Sequence, residues 1–304
     1  MRIICLMENT VGNELCQSEH GLSLYVETHN QNILIDTGAS GLFLENAKKL
    51  KVDLTKVEAV FLSHGHYDHG GGILDFHNIN PTAKIVMQKS AFGDYWHKSV
   101  TVEKYIGLNP KIREIEKLIL LDGENISDEK IQKTKTASEL YKGDPDLELR
   151  TILQKNIEIF TIKYERKEEL VCWPEGNLVL KVRKGNEYVQ DDFVHEQYIV
   201  LKENNKSILI SGCAHNGILN ILNEYRRKYE SNPDVIISGF HMRKKTGYTA
   251  KDYEVIRETA KVLKNTGILC YTGHCTGEEP YNWMKEIMGE QLQYIHCGDV
   301  IEIF

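Results

Sequence analysis

An apolar run from Ala59 to Leu62 breaks off into Ser63-His64-Gly65-His66-Tyr67-Asp68-His69, followed by the three glycines Gly70 to Gly72. The run has the composition of a buried strand. Three imidazoles and a carboxylate follow it within six positions, and these are the side chains that a borderline divalent ion such as Zn²⁺ prefers. His64 and His66 flank a single glycine, so both can turn toward one ion, while the adjacent Asp68 and His69 can face a second. The competing explanation is a polar turn that happens to be rich in histidine. Four candidate ligands packed directly behind one strand weigh against it. The stretch reads as a metal site.

The chain around it has 304 residues, 41% hydrophobic and 27% charged, ample for a large buried core. A formal net charge of -7 without a run of Lys or Arg argues against a large non-specific nucleic-acid surface. No apolar run approaches bilayer-spanning length. Met1 to Thr10, broken by Glu8 and Asn9, fits a first strand better than a signal peptide, so the expected location is cytoplasmic. The cysteines (5, 16, 172, 213, 270, 275 and 297) are odd in number and form no Cys-x-x-Cys pair, which points to reduced thiols rather than a disulfide framework.

Hydrophobic patterning predicts strands at Arg2–Met7, Leu22–Glu27, Asn32–Asp36, Glu58–Leu62 and Lys84–Gln88, with a helix over Gly41–Leu50 and another from Ile73. Between about 90 and 190 the pattern loosens into weak helical stretches and charged segments, and Glu124–Leu149 is especially polar. This region reads as an insertion or cap on a single domain spanning 1–304. Regularity returns with strands at Gln197–Lys202, Ser207–Ile210, Asp234–Ile237, Ile268–Tyr271 and Asp299–Phe304. One helix shares Ile218, Ile221, Leu222 and Tyr225 on a face. A second starts at Thr249, buries Tyr253, Ile256, Ala260 and Leu263, and stops at Gly267, and a third has Pro280 in its first turn.

Five apolar runs end in small-residue turns bearing a metal-competent side chain: Asp36; His64, His66, Asp68 and His69; Cys213 and His215; His241; and His274. In α/β architectures ligands gather beyond the carboxyl ends of strands, so this shared position favours one common site. His20, His29, His77, His97, His195 and His296 lack it and are assigned no metal role.

With these residues in place the sequence resembles the metallo-β-lactamase superfamily. Its His-x-His-x-Asp-His signature stands here as His64-Gly65-His66-Tyr67-Asp68-His69, with Asp36 and His274 at its first and last motifs. Ser211-Gly212-Cys213-Ala214-His215, Gly239-Phe240-His241 and Gly273-His274-Cys275-Thr276-Gly277 look like a subgroup often labelled 7,8-dihydropterin-6-methyl-4-(β-D-ribofuranosyl)aminobenzene-5′-phosphate synthase. The resemblance implies an α/β (α+β) fold, a four-layer αββα sandwich with an inserted cap region and a metal site at one edge. It implies that His64 and His66 bind a first ion, that Asp68, His69 and His274 bind a second, and that Asp36 orients ligands from behind. Many hydrolases of the superfamily carry a bridging aspartate where this chain has Cys213. His215 is inferred to complete the first ion's ligands, and Cys213 is either a thiolate ligand or a buried neighbour.

The chemistry expected is hydrolysis of a small anionic, phosphorylated substrate by a water activated on one or two Zn²⁺ ions, with Fe or Mn as alternatives. Asp68 would hold the water, and His241 would protonate a leaving group or bind a substrate oxygen. Arg243, Lys244 and Lys245 are placed to attract phosphate or to form a solvated surface. The rival readings are a synthase in pterin-type cofactor biosynthesis, which would need donor and acceptor sites with no motif of their own here, and a non-hydrolytic metal or redox protein. His66 stands where flavo-diiron relatives have glutamate, which disfavours the redox reading.

Overall fold

The computed structural model describes residues 1–123, 149, 152–153, 156–162, 173–245 and 247–303. In the first half, strands β1 (Arg2–Met7), β2 (Ser23–Glu27) and β3 (Asn32–Ile35) lead through helix α1 (Leu42–Lys49) to β4 (Val57–Phe61). A one-turn helix α2 (Tyr67–Gly70) and helix α3 (Ile73–Ile79) then precede β5 (Lys84–Gln88). The middle of the chain supplies β6 (Tyr95–Lys98), β7 (Glu103–Tyr105), β8 (Leu118–Leu121), β9 (Ile157–Phe160), β10 (Leu180–Lys184) and β11 (Glu187–Gln190). The second half runs β12 (Tyr198–Glu203), β13 (Lys206–Ser211), α4 (Ile218–Tyr229), β14 (Val235–Ser238), α5 (Ala250–Thr266) and β15 (Leu269–Thr272). It closes with α6 (Glu278–Met288), β16 (Leu292–Tyr294) and β17 (Val300–Glu302).

Two mixed sheets, ordered β17-β1-β2-β3-β4-β5-β8 and β16-β15-β14-β13-β12-β9, pack face to face. Period-2 alternation with both faces apolar is what drives this layering. Ile33 and Ile35 point inward against Ile208 and Ile210, while Leu34 and Leu209 point outward under helices. The outer face of the first sheet is covered by residues of α1 and α3 such as Phe43 and Phe76, and that of the second by Ile221, Ile256 and Met284 from α4, α5 and α6. The result is the αββα sandwich expected. Strands β3, β4 and β5 run parallel, as do β13, β14 and β15, so each set delivers its carboxyl ends together.

The structure departs from the sequence reading in the middle of the chain. β8 pairs with β5 and β9 with β12, so this region completes both main sheets as well as adding material beside them. Where weak helices were expected, a four-stranded antiparallel sheet ordered β11-β10-β6-β7 forms. Its β10–β11 hairpin turns through Gly185 (φ 63°) and Asn186 between the paired Lys184 and Glu187, a legible two-residue turn. Nearly all of the polar 124–149 stretch lies outside the described residues. Tyr253, expected in the core, is 37% exposed and rests against Trp283 with ring centroids 4.9 Å apart.

Ile208, fully buried between the sheets, should lose about 2–5 kcal/mol of stability when replaced by alanine. The exposed Lys184→Ala should stay within ~0.5 kcal/mol. Denaturant unfolding midpoints of the two variants test the pair.

Candidate metal centre

The converging strand ends bring the distant motifs together. Asp36 follows β3, the Ser63–His69 turn follows β4, and Cys213, His241 and His274 follow β13, β14 and β15. Tight backbone approach holds them there. A Cβ on Gly65 would stand 2.2 Å from the Ala91 carbonyl oxygen, so only glycine lets His64 and His66 flank that position. Asp36, Ala214, His241 and His274 all have φ between 50° and 58°, the left-handed region that side chains other than glycine rarely occupy.

Two groups of ligand atoms result. His64, His66 and His215 present atoms within 4.8 Å of one another, with His64 Nε2 and His215 Nε2 3.3 Å apart. His69 Nε2 and His274 Nε2 lie 3.2 Å apart, and Asp68 Oδ2 is 4.0 Å from the first and 3.5 Å from the second. Cys213 Sγ lies 3.1 Å from His69 Nε2. The ligand residues named from the sequence therefore meet at one edge of the sandwich. Their chemistry fits a divalent ion: the His66 Nε2 atom is buried with no hydrogen-bond partner, and imidazole nitrogens face one another in pairs.

Each facing ring is oriented from behind. Asp36 accepts from His69 Nδ1 at 2.6 Å, Asn177 Oδ1 from His215 Nδ1 at 3.0 Å, and Asn9 Oδ1 from His274 Nδ1 at 3.0 Å. Ser63 Oγ donates to Asp36 at 2.7 Å, which leaves it to accept from His64 Nδ1 at 2.9 Å. Protons held at Nδ1 leave Nε2 of His64, His69, His215 and His274 turned toward the centre.

Burial, reinforced by neighbouring imidazoles, holds His64 and His215 well below the ordinary histidine range. Burial also takes His66 down to about 3. His69 behaves oppositely: burial would lower it, but the Asp36 carboxylate overrides this and raises it to about 9. Burial likewise works against ionisation of Asp68, yet the hydrogen bond from His274 and the charge at His69 pull it well below the usual carboxylate range.

Two histidines given no metal role from the sequence stand beside the ligand groups. His20 stands in the loop between β1 and β2, its Nε2 3.3 Å from Asp68 Oδ2 and its ring stacked on His274 at 4.9 Å. Gly21 makes this placement fit, because a Cβ there would lie 2.8 Å from the Asp68 carbonyl oxygen. His195 accepts from the Gly65 N–H at 2.9 Å and, through Nε2, donates to Asp191 at 3.2 Å, bracing the turn between His64 and His66. Glu196, also passed over, is buried and accepts from the backbone N–H groups of His215 and Asn216.

A cavity of about 360 Å³ adjoins the centre, walled by Trp173, Gly176, Leu219, His241, Met242 and Ile256 among others. His241 sits between the two, its ring 4.2 Å from that of His215 and its Nδ1 buried without a partner. Lys244 at the cavity wall is committed to ion pairs with Asp252 and Glu175.

The fold and this histidine-rich edge define a metallo-β-lactamase-type domain. Residues 19–137 match the family model described as the metallo-beta-lactamase superfamily. The superfamily is metal-dependent. Over nearly its full length the chain is 26% identical to the uncharacterized protein MJ0448 of Methanocaldococcus jannaschii, covering 98% of each chain. It is also 26% identical to that organism's 7,8-dihydropterin-6-methyl-4-(beta-D-ribofuranosyl)-aminobenzene-5'-phosphate synthase, covering 99% of this chain and 96% of the relative. Among solved structures it is similar to Tm1679, described as a metal-dependent hydrolase of the beta-lactamase superfamily, at 25% identity and TM-score 0.72, covering 100% and 99% of the two chains. Among the described residues no helix is long and apolar enough to cross a membrane.

An ion entering beside His69 must displace a proton that is held up to about pH 9, whereas His66 is already neutral above about pH 3. Affinity at the Asp68, His69 and His274 group should therefore rise roughly tenfold per pH unit toward pH 9, while affinity at His64, His66 and His215 stays nearly flat. Calorimetric zinc titrations at pH 6, 7.5 and 9 test this difference. Asn177→Ala, which frees the His215 ring, should weaken zinc binding roughly 10–100-fold in a competition assay against a chromogenic chelator.

Proposed function

We propose that this chain is a metal-dependent hydrolase of a small anionic, phosphorylated substrate, with zinc held by His64, His66 and His215 and by Asp68, His69 and His274. The observation that carries the reading is the meeting of two ligand groups beside a cavity that can seat a substrate. Bound divalent ions supply Lewis-acid polarisation and an activated water. The chain's own residues supply the rest. Asp68, within 3.3 Å of His20 and 3.5 Å of His274, keeps a carboxylate at the centre that can hold and orient a water. His241, with a free Nδ1 at the junction of centre and cavity, is the group to donate to a leaving oxygen. Because Lys244 is neutralised by Glu175 and Asp252, anion recognition falls to the ions and His241 rather than to that lysine.

The synthase reading is supported by the full-length likeness to the Methanocaldococcus jannaschii synthase. An assay that separates the two supplies phosphodiesters, phosphomonoesters, lactones and thioesters singly, with no second substrate. Zinc-loaded protein should turn over a phosphorylated member, lose that turnover on chelation, regain it with zinc, and fall about a hundredfold or more in His66→Ala. Turnover that appears only when an acceptor and a phosphoribosyl donor are supplied together would transfer the assignment to the synthase.

A further inference from the structure

We propose that the cavity beside the centre seats the alcohol portion of the substrate, and that this portion is a neutral, apolar ring system; the inference rests on the hydrolase reading above. The cavity reaches His241, whose ring lies 4.2 Å from that of His215, so a phosphate at the ion positions can direct its ester group into it. Its wall includes Trp173, Leu219, Phe240, Met242, Val255 and Ile256. At about 360 Å³ it is more than twice the ~150 Å³ of an apolar cavity that takes up benzene, which leaves room for one ring or two fused rings.

The polar groups of the wall are spent on one another. Glu175 pairs with Lys251 at 2.8 Å and with Lys244 at 3.2 Å, and Lys244 pairs again with Asp252. Asp252 also accepts from the Thr249 N–H and hydroxyl at 2.8 Å each, and the Thr259 hydroxyl donates to the Val255 carbonyl oxygen at 2.8 Å. A charged or many-hydroxyl group entering here gives up its water and regains hydrogen bonds only by breaking these pairs. A ring forfeits nothing and removes apolar surface from water. His241 Nδ1, buried and unpartnered, is left as a polar atom at the junction, where the ester oxygen of such a substrate would lie.

The cavity therefore selects on the alcohol side of the ester bond. In the hydrolytic step the water oxygen forms a bond to phosphorus, the bond from phosphorus to the alcohol oxygen breaks, and the alcohol leaves with a proton that the water gives up. Aryl-alkyl alcohols fit the wall as substrate and as product, whereas sugars and nucleosides bring hydroxyls that it leaves unpaired.

Equilibrium binding to the full zinc-loaded chain tests the seat without turnover. Naphthylmethanol should bind saturably and roughly tenfold or more tightly than naphthylmethylammonium, which adds a charge to the same ring. Val255→Trp, which fills the cavity from α5, should keep its zinc and lose naphthylmethanol binding by a similar factor. In steady-state assays naphthylmethyl phosphate should exceed methyl phosphate in kcat/KM by roughly a hundredfold, the two alcohols being of similar acidity. Naphthylmethanol bound by wild type and refused by zinc-retaining Val255→Trp, with neither ester turned over, would uphold the ring site and overturn the hydrolase reading. Equal turnover of the two esters with no saturable binding of the alcohol would overturn the ring site and leave the hydrolase reading standing. Binding that persists in Val255→Trp would put the ring elsewhere and overturn the inference. Should Val255→Trp not fold, ¹³C-methyl methionine spectra of the wild-type protein decide. The Met242 resonance, assigned through Met242→Leu, should move with the ring current of bound naphthylmethanol, and an unmoved resonance would refute the seat.

Discussion

One buried carboxylate ties the candidate centre to the sandwich. Asp36, fully inaccessible at the end of β3, accepts from the Ser63 N–H and the Ser63 hydroxyl at 2.7 Å each and from His69 Nδ1 at 2.6 Å. It thereby joins the ends of two neighbouring parallel strands to the one-turn helix that carries Asp68 and His69. The second sheet is fastened to the same point, since a Cβ on Gly212 would lie 2.2 Å from Ser63 Oγ and 3.2 Å from Asp36 Oδ2. Three donors, the Ser63 N–H, the Ser63 hydroxyl and His69 Nδ1–H, compensate the carboxylate for its burial.

The turns beyond the strands hold conformations that the backbone resists. Left-handed geometry at Asp36, Ala214, His241 and His274 costs about 1–3 kcal/mol at each position. Local hydrogen bonds offset it. Glu8, buried at the end of β1, accepts from the His274 N–H and from Tyr294 OH, and Glu196 does the same service for the His215 turn. The strain is thus confined to the edge where side chains must leave their strands at sharp angles, while the sheets themselves stay regular.

The sequence was informative wherever chemistry and periodicity coincided. Ile33, Ile35, Ile208 and Ile210 sit in apolar runs bounded by turn residues, so the strands that carry them were legible, and the His64–His69 cluster follows a strand too closely to be mistaken. His20 was not legible, because it sits in an irregular loop after β1 and reaches Asp68 only through tertiary packing around Gly21. Asn9, Asn177 and Glu196 were hidden for a related reason: an amide or carboxylate that orients a ring carries no local pattern. The small sheet around Trp96 and Tyr188 was obscured by its half-exposed strands, whose charged residues blur the alternation, although the Gly185-Asn186 turn was available as a signal.

Asn177 links two parts that might have been separate. Its side chain grips both the ring and the carbonyl oxygen of His215, at 3.0 and 2.7 Å, while its neighbours Glu175 and Gly176 form the cavity wall. Remodelling that wall to admit a different molecule would disturb the grip on His215 in the same stroke. Divergence of this chain toward new chemistry therefore has its freer ground along Leu219, Val255 and Ile256, cavity-lining residues of the helices with no hydrogen bond to a ligand ring among those described.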